Sequence, residues 1–255
     1  MIRISEAFRN KKALITYLMA GDPDLSVSAE YILTLQEAGA DMIEIGIPFS
    51  DPIAEGEVIQ AAALRALTSG TTLEGVFEMT SSLKDKMKIP MVFMTYLNPV
   101  FVYGYERFFS RCTECGICGV IIPDMPFEEQ DEAKDAAKKY GTEIVTLAAP
   151  TSEKRIREIA ASAEGFVYLV SSMGVTGMRS EITADVSSIA AEIRRYSDIP
   201  AAVGFGISVP EQAAQYAAAA DGVIVGSAIV DIIARHGENT RQSLYEYVRS
   251  MKSAL

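Results

Sequence analysis

The sequence has no tryptophan, one histidine and three cysteines among 255 residues. With His236 as the single histidine, a Ser/His/Asp or Cys/His arrangement lacks a convincing base. Neither a Walker-type glycine–lysine loop nor an H-E-x-x-H motif occurs. No apolar run approaches the roughly 18 residues of a membrane span, and the first residues lack the pattern of a signal peptide. We therefore expect a cytoplasmic protein whose chemistry does not depend on a histidine base, a Walker-type loop or an H-E-x-x-H zinc motif.

Positive charge is also scarce. Lys and Arg total 23 against 34 Asp and Glu, which gives a formal net charge of −11. A surface of this sign repels phosphate backbones and anionic membranes. We therefore expect neither nucleic acids nor membranes as partners.

The three cysteines are Cys112, Cys115 and Cys118, and their C-x2-C-x2-C spacing is typical of some iron–sulfur proteins. A fourth cysteine ligand is missing, and His236 lies far along the chain. We therefore predict small buried thiols in a reducing compartment, and no metal site.

Eight short apolar runs rich in β-forming residues predict eight strands. They span residues 13–19, 41–46, 90–96, 119–123, 143–148, 166–170, 201–206 and 221–226. Segments with helical periodicity separate them, among them "SVSAEYILTLQEAGA" and "PEQAAQYAAAADG".

Strands that alternate with helices predict a parallel sheet, and eight such units favour a closed barrel. The rival is an open doubly wound sheet, which needs a glycine-rich turn after the first strand; "MAGDPD" offers one glycine. Hydrophobic residues make up 49% of the chain, enough for a large core, and no linker divides it. We predict an α/β fold, a single (β/α)8 TIM barrel over residues 1–255.

One carboxylate, Glu44, interrupts the apolar second strand near its end. Catalytic groups of such barrels collect at the C-terminal ends of the strands, and an unpaired buried carboxyl has the raised pKa that a general acid needs. The alternative is a carboxylate at the barrel rim or one paired with a lysine.

Two glycine clusters, "GFGIS" (204–208) and "GSAIV" (226–230), follow the seventh and eighth strands. Barrel phosphate sites commonly form between these two loops, from backbone N–H groups and a helix N-terminus. The pair favours a phosphorylated substrate, although each cluster alone is also typical of ordinary turns. Residues 171–181 form a third glycine-bearing segment, interpreted as a lid or an ordinary surface loop.

Longer motifs carry a resemblance to a known family. In order, "YLMAGDPD", "GADMIEIGIPFSDPIAEG", "VFMTYLNPV", "GVIIPDMP", "FVYLVSSMGVTG" and "ADGVIVGSAIV" resemble the alpha subunit of tryptophan synthase. The resemblance covers about residues 8 to 232. It implies a lyase that splits indole-3-glycerol phosphate into indole and glyceraldehyde 3-phosphate by a retro-aldol step.

The resemblance also implies site residues. Glu44 is the expected acid–base residue, and Glu55 faces the indole N–H. The other expected substrate-binding residues are Tyr17, Tyr96, Tyr168, Thr176, Gly177, Gly206, Gly226 and Ser227. Pro48 and Asp51 are expected to contact a partner beta subunit in an alpha2beta2 heterotetramer. The alpha chain carries no cofactor, and pyridoxal phosphate belongs to the partner.

One difference from the family concerns Glu55. The family has "ADG" followed by proline where this chain reads "AEGE", so the second carboxylate lies one methylene further from the backbone. Either the loop absorbs that length or the activity is reduced or altered. This glutamate leaves open a divergent subunit that mainly binds and activates a beta subunit. A second alternative is a stand-alone indole-releasing lyase, since such relatives share these motifs.

Overall fold

The computed structural model describes residues 2–149, 153–170, 179–204, 206–235 and 237–255. Eight parallel strands close into a barrel in sequence order, with β8 paired to β1. The strands are β1 Ala13–Met19, β2 Met42–Gly46, β3 Met91–Met94, β4 Ile117–Ile121, β5 Glu143–Ala148, β6 Val167–Val170, β7 Ala201–Gly204 and β8 Gly222–Val225. The predicted TIM barrel is confirmed.

Helices surround the barrel. Those in the described ranges are α1 Leu25–Ala38, α2 Glu57–Thr68, α3 Leu73–Leu83, α4 Leu97–Tyr103, α5 Tyr105–Glu114, α6 Asp131–Tyr140, α7 Glu153–Ser162, α8 Arg179–Tyr196, α9 Pro210–Ala219, α10 Ser227–Arg235 and α11 Thr240–Ser253. Short 3-10 helices span Ile4–Phe8, Phe127–Glu129 and Gly237–Asn239. No helix in these ranges has the length and apolarity needed to cross a membrane.

All eight predicted strands are present. β1 and β5 have the predicted bounds, the other six differ by one or two residues at one or both ends, and β4 is shifted as a whole. We predicted residues 119–123, and the structure gives Ile117–Ile121. Gly119 was expected to begin the strand, yet it lies inside it, where an added Cβ would come 2.6 Å from Ile4 Cδ1. The packing of the N-terminal segment against the barrel requires this glycine.

Two hydrophobic layers follow from the alternation of side chains along each strand. Outward-facing residues such as Leu14, Ile43 and Phe93 pack against the helices. Inward-facing residues such as Ile15 and Met42 fill the barrel together with Ile4. Glu44 belongs to the inward set by register, since it follows Met42 by two residues and pairs with Tyr17 of β1.

The three cysteines are free thiols and are buried, as predicted. Cys112 and Cys115 lie in the layer between helices and strands, whereas Cys118 faces the barrel interior. The strand that begins at Ile117 separates the pair from the third thiol. Among the described residues no cluster of His, Cys, Asp and Glu could hold a metal ion.

Candidate active site

A cavity of about 520 Å³ opens at the C-terminal end of the barrel. Its floor and walls come from β1, β2, β3, β6 and β8, the loop before α2, and the segments that follow β7 and β8. It is lined by Tyr17, Glu44, Ala54, Glu55, Gly56, Val58, Ile59, Met94, Tyr168, Gly206, Ile207, Ser208, Ile224, Gly226, Ser227, Ala228, Asp231 and Arg235. Its volume suits a small-molecule ligand.

Glu44 lies in the cavity floor with 1% of its surface exposed. Its Oε2 atom has no hydrogen-bond partner in the part of the chain that the structure describes. Burial, assisted by the nearby charge of Glu55, raises the pKa of Glu44 to about 8. Glu44 is therefore neither a rim carboxylate nor half of a lysine pair, and its raised pKa favours the protonated form near neutral pH.

Glu55 is half-buried and approaches the same cavity from the loop before α2. Burial raises its pKa to about 7, and a hydrogen bond with Tyr96 opposes that rise. Two carboxyl groups from different elements thus share one cavity, each poised to exchange a proton near neutral pH.

Tyr96 supports the loop that carries Glu55. Its hydroxyl oxygen accepts hydrogen bonds from the backbone N–H groups of Ile53 (3.1 Å) and Ala54 (3.0 Å). Its ring also packs against Phe49, with centroids 5.4 Å apart. The structure therefore places this expected substrate contact beneath the acid loop, where it fixes the backbone next to Glu55.

The helix after this loop is fixed at two places. The Arg65 side chain of α2 makes two hydrogen bonds, of 2.8 and 2.7 Å, with the buried carboxylate of Asp22. Three alanines of the same helix pack in a cluster with Tyr17, Met19 and Val230, and their small side chains let α2 approach closely. Glu55 therefore enters the cavity from a loop that is held at both ends.

Two tyrosines flank Glu44. Tyr17 and Tyr168 are buried, and burial raises the pKa of each hydroxyl above its ordinary value, with the charge of Glu44 adding to the rise. Gly46 makes room for Tyr17, because an added Cβ at this position would lie 2.2 Å from the Tyr17 hydroxyl oxygen. Sequence reasoning did not single out Gly46, although its place two residues after Glu44 on the inward face was a usable signal.

The two glycine clusters meet in the cavity lining. Gly206 and Ser208 from the segment after β7 line it together with Gly226 and Ser227. Helix α10 begins at Ser227, and the Gly226 carbonyl accepts the Val230 N–H at 3.1 Å. The first N–H groups of α10 therefore have no partner within the helix and lie at the cavity wall.

The remaining expected residues lie elsewhere. Pro48 is buried and Asp51 is exposed, both in the loop between β2 and α2. Thr176 and Gly177 fall outside the described residues, as does most of the segment interpreted as a lid. Sequence reasoning also missed Asp231 and Arg235, which line the cavity from α10. Their spacing of four and eight residues from Ser227 was the signal available.

Fold and site together define a class: a (β/α)8-barrel enzyme with a pair of carboxyl groups in a cavity at the C-terminal end of the barrel. The sequence model of one family, tryptophan synthase alpha chain, matches residues 5–255. The tryptophan synthase alpha chain of Lacticaseibacillus casei is 44% identical over 255 residues, covering 100% of this chain and 96% of the other. The chain therefore belongs to the tryptophan synthase alpha chain family.

Solved structures agree with this assignment. Tryptophan synthase subunit alpha from Legionella pneumophila superimposes with a TM-score of 0.90 at 36% identity, covering 100% of this chain and 98% of that one. A chain of the tryptophan synthase a2b2 complex from Pyrococcus furiosus gives a TM-score of 0.88 at 37% identity, with 95% and 98% covered.

The family is a lyase of tryptophan biosynthesis that cleaves indole-3-glycerol phosphate. The alpha chain carries no cofactor, and pyridoxal phosphate belongs to the beta subunit.

Proposed function

We propose that this chain cleaves indole-3-glycerol phosphate with Glu44 as the acid–base residue and Glu55 at the indole N–H. The observation that carries the proposal is the buried carboxyl group of Glu44 in the floor of a cavity that Glu55 also lines, with one oxygen that has no hydrogen-bond partner among the described residues. A protonated carboxyl and a second, ionisable one are what a retro-aldol cleavage of this substrate requires.

The chemistry divides into three demands. The ring carbon that holds the glycerol chain must gain a proton, the hydroxyl on the adjacent carbon must lose one, and the ring nitrogen must carry positive charge in between. The carbon–carbon bond then breaks, its electron pair returns to the ring, and the hydroxyl carbon becomes the aldehyde. Glu44, protonated near neutral pH, supplies the first proton and as a carboxylate accepts the second. Ionised Glu55 stabilises the charge at the ring N–H.

The remaining residues bind and orient. Tyr17 and Tyr168 enclose the indole beside Glu44, together with the apolar side chains of Ile59 and Met94. Gly206, Gly226, Ser227 and the first N–H groups of α10 hold the phosphate group, since a helix N-terminus favours an anion. Thr176 helps to position the substrate, and Gly177 belongs with the residues that bind the phosphate group. Tyr96 acts through the loop that it supports.

The proposal includes a beta subunit as partner, in an alpha2beta2 assembly in the cytoplasm. Pro48 and Asp51 belong to a loop whose Ile53 side chain is 79% exposed. Helix α4, which directly follows Tyr96, exposes Phe101 by 64% and Val102 by 76%. Large apolar side chains exposed beside the acid loop are typical of a protein interface, so this surface favours a subunit over a stand-alone lyase.

The longer side chain of Glu55 allows a test of whether this residue takes part in catalysis. We propose that the loop has adapted to it, because Tyr96 holds the preceding backbone and the carboxyl group lines the cavity. Indole release from indole-3-glycerol phosphate is measured for the parent, Glu55→Gln and Glu55→Asp, each with and without a beta subunit. Both variants should lose turnover, by roughly 10- to 100-fold, since a displacement of about 1 Å is costly at a catalytic group.

Glu57→Gln is the matched control, because Glu57 is an exposed carboxylate two residues further on. It should keep parental turnover. A faster Glu55→Asp variant would mean that the loop has not adapted. Parental rates for both Glu55 variants would remove Glu55 from catalysis and leave a chain that mainly binds and activates its partner.

A further inference from the structure

Three polar residues form a stripe along the cavity side of α10. Ser227, Asp231 and Arg235 are spaced by four residues, which places them on neighbouring positions of one helix face, and all three line the cavity. A helix rises about 1.5 Å per residue, so Asp231 follows Ser227 by about 6 Å along the axis. The stripe begins at the helix N-terminus that we assign to the phosphate group.

The charges along the cavity wall are unequal. Its described lining contains three acidic side chains, those of Glu44, Glu55 and Asp231, and a single cationic side chain, Arg235. The proposed reaction uses the first two carboxylates but gives no role to Asp231. At about one helical turn from Ser227, its charge lies within a Debye length of about 8 Å and would repel a bound phosphate group.

Arg235 forms an ion pair with Asp231. Its Nη2 atom lies 2.7 Å from Asp231 Oδ1, and 71% of the arginine side chain is exposed. Side chains on a helix point toward its N-terminus, so the guanidinium lies over the preceding turn, on the side of the phosphate cradle. The cation is therefore one turn closer to Ser227 than its own backbone.

We propose that Arg235 is a substrate-binding residue specific for the phosphate end of the substrate. It neutralises Asp231 and attracts the phosphate monoester into the cavity of a chain whose net charge is −11. It lies on the phosphate side of the cavity, so it sets affinity and leaves bond cleavage unaffected. This inference rests on the proposed function of the site.

The test uses Arg235→Gln, Asp231→Asn and the double variant. Arg235→Gln should raise KM for indole-3-glycerol phosphate about three- to tenfold with kcat within about twofold, because a partly solvated charge contributes a modest Coulomb energy. Asp231→Asn should lower KM or leave it unchanged. The double variant should have a KM between those of Arg235→Gln and the parent, because it loses the repulsion by Asp231 together with the attraction by Arg235.

Arg249→Gln on α11 is the control, since it removes the same charge from an exposed position outside the cavity lining. Parental KM in Arg235→Gln, or an equal rise in Arg249→Gln, would overturn the proposal. Calorimetric titration of each variant with inorganic phosphate tests the phosphate-binding role of Arg235 separately from the proposed lyase function. If no variant released indole, the proposed function would fail, yet weaker phosphate binding by Arg235→Gln would still support the role of Arg235.

Discussion

At the N-terminal end of the barrel, Ile4 enters the interior and packs closely over Gly119 and Gly165, where added Cβ atoms would lie 2.6 and 2.7 Å from its Cδ1. Phe8 packs beside it against Phe166, with ring centroids 5.7 Å apart. At the C-terminal end, the same interior holds a cavity of about 520 Å³ and a buried carboxyl group, one oxygen of which has no hydrogen-bond partner in the described ranges.

Single strands connect these two ends. In β2 the inward face passes from Met42 to Glu44, and beside β6 it passes from Phe166 to Tyr168. Two residues of a strand span about 6.6 Å. The apolar side chain of Met42 therefore lies only that far along the strand from the buried acid Glu44. The N-terminal end therefore contributes stability, whereas the C-terminal end buries an acid at a cost in stability.

The largest expected effect is at the C-terminal end. Glu44→Gln keeps the shape of the side chain and removes its proton exchange, so turnover should fall by about 10²- to 10⁴-fold. Indole release at saturating substrate measures the loss, and the phosphate titration checks that binding persists. Near-parental turnover in a folded Glu44→Gln variant would refute the role of Glu44.

The opposite end should respond in stability instead. Ile4→Ala removes a fully buried side chain and leaves a cavity, so the free energy of unfolding should fall by about 2–5 kcal/mol. Urea unfolding measures it, with Val102→Ala, at a position 76% exposed, as a control expected to stay within about 0.5 kcal/mol. Turnover per folded molecule should be unchanged, and a selective loss of kcat would contradict the division between the two ends.

A further expected effect is the pH dependence of stability. Burial raises the pKa of Glu44 from an ordinary 4.5 to about 8, so between these values the folded chain binds more protons than the unfolded chain. The contribution of Glu44 to the free energy of unfolding therefore falls as pH rises through this window. Glu44→Gln lacks that fall, and its stability relative to the parent should improve from about pH 5 to about pH 8. A pH-independent difference in urea unfolding would show that Glu44 is not buried as a neutral acid.

Much of the fold followed from local patterns. Alternating strands and helices predicted the barrel, and the single acid in an apolar strand predicted where the site lies. The strand boundary at β4 could not be predicted, because Gly119 is determined by contact with Ile4, a residue more than a hundred positions away. The thiol interpretation was confirmed, and the strand that separates Cys118 from the other two explains why their spacing forms no cluster.

By itself, the sequence determined the order of elements, the inward face of each strand and the residue types available at each strand end, since these depend on neighbours along the chain. Only the tertiary structure decided that Glu55 and Glu44 share one cavity, that Tyr96 holds the acid loop and that Arg235 points at Asp231 beside the helix N-terminus. These relations determine pKa values and charge balance, because burial and the distance between charges are set by closing the barrel.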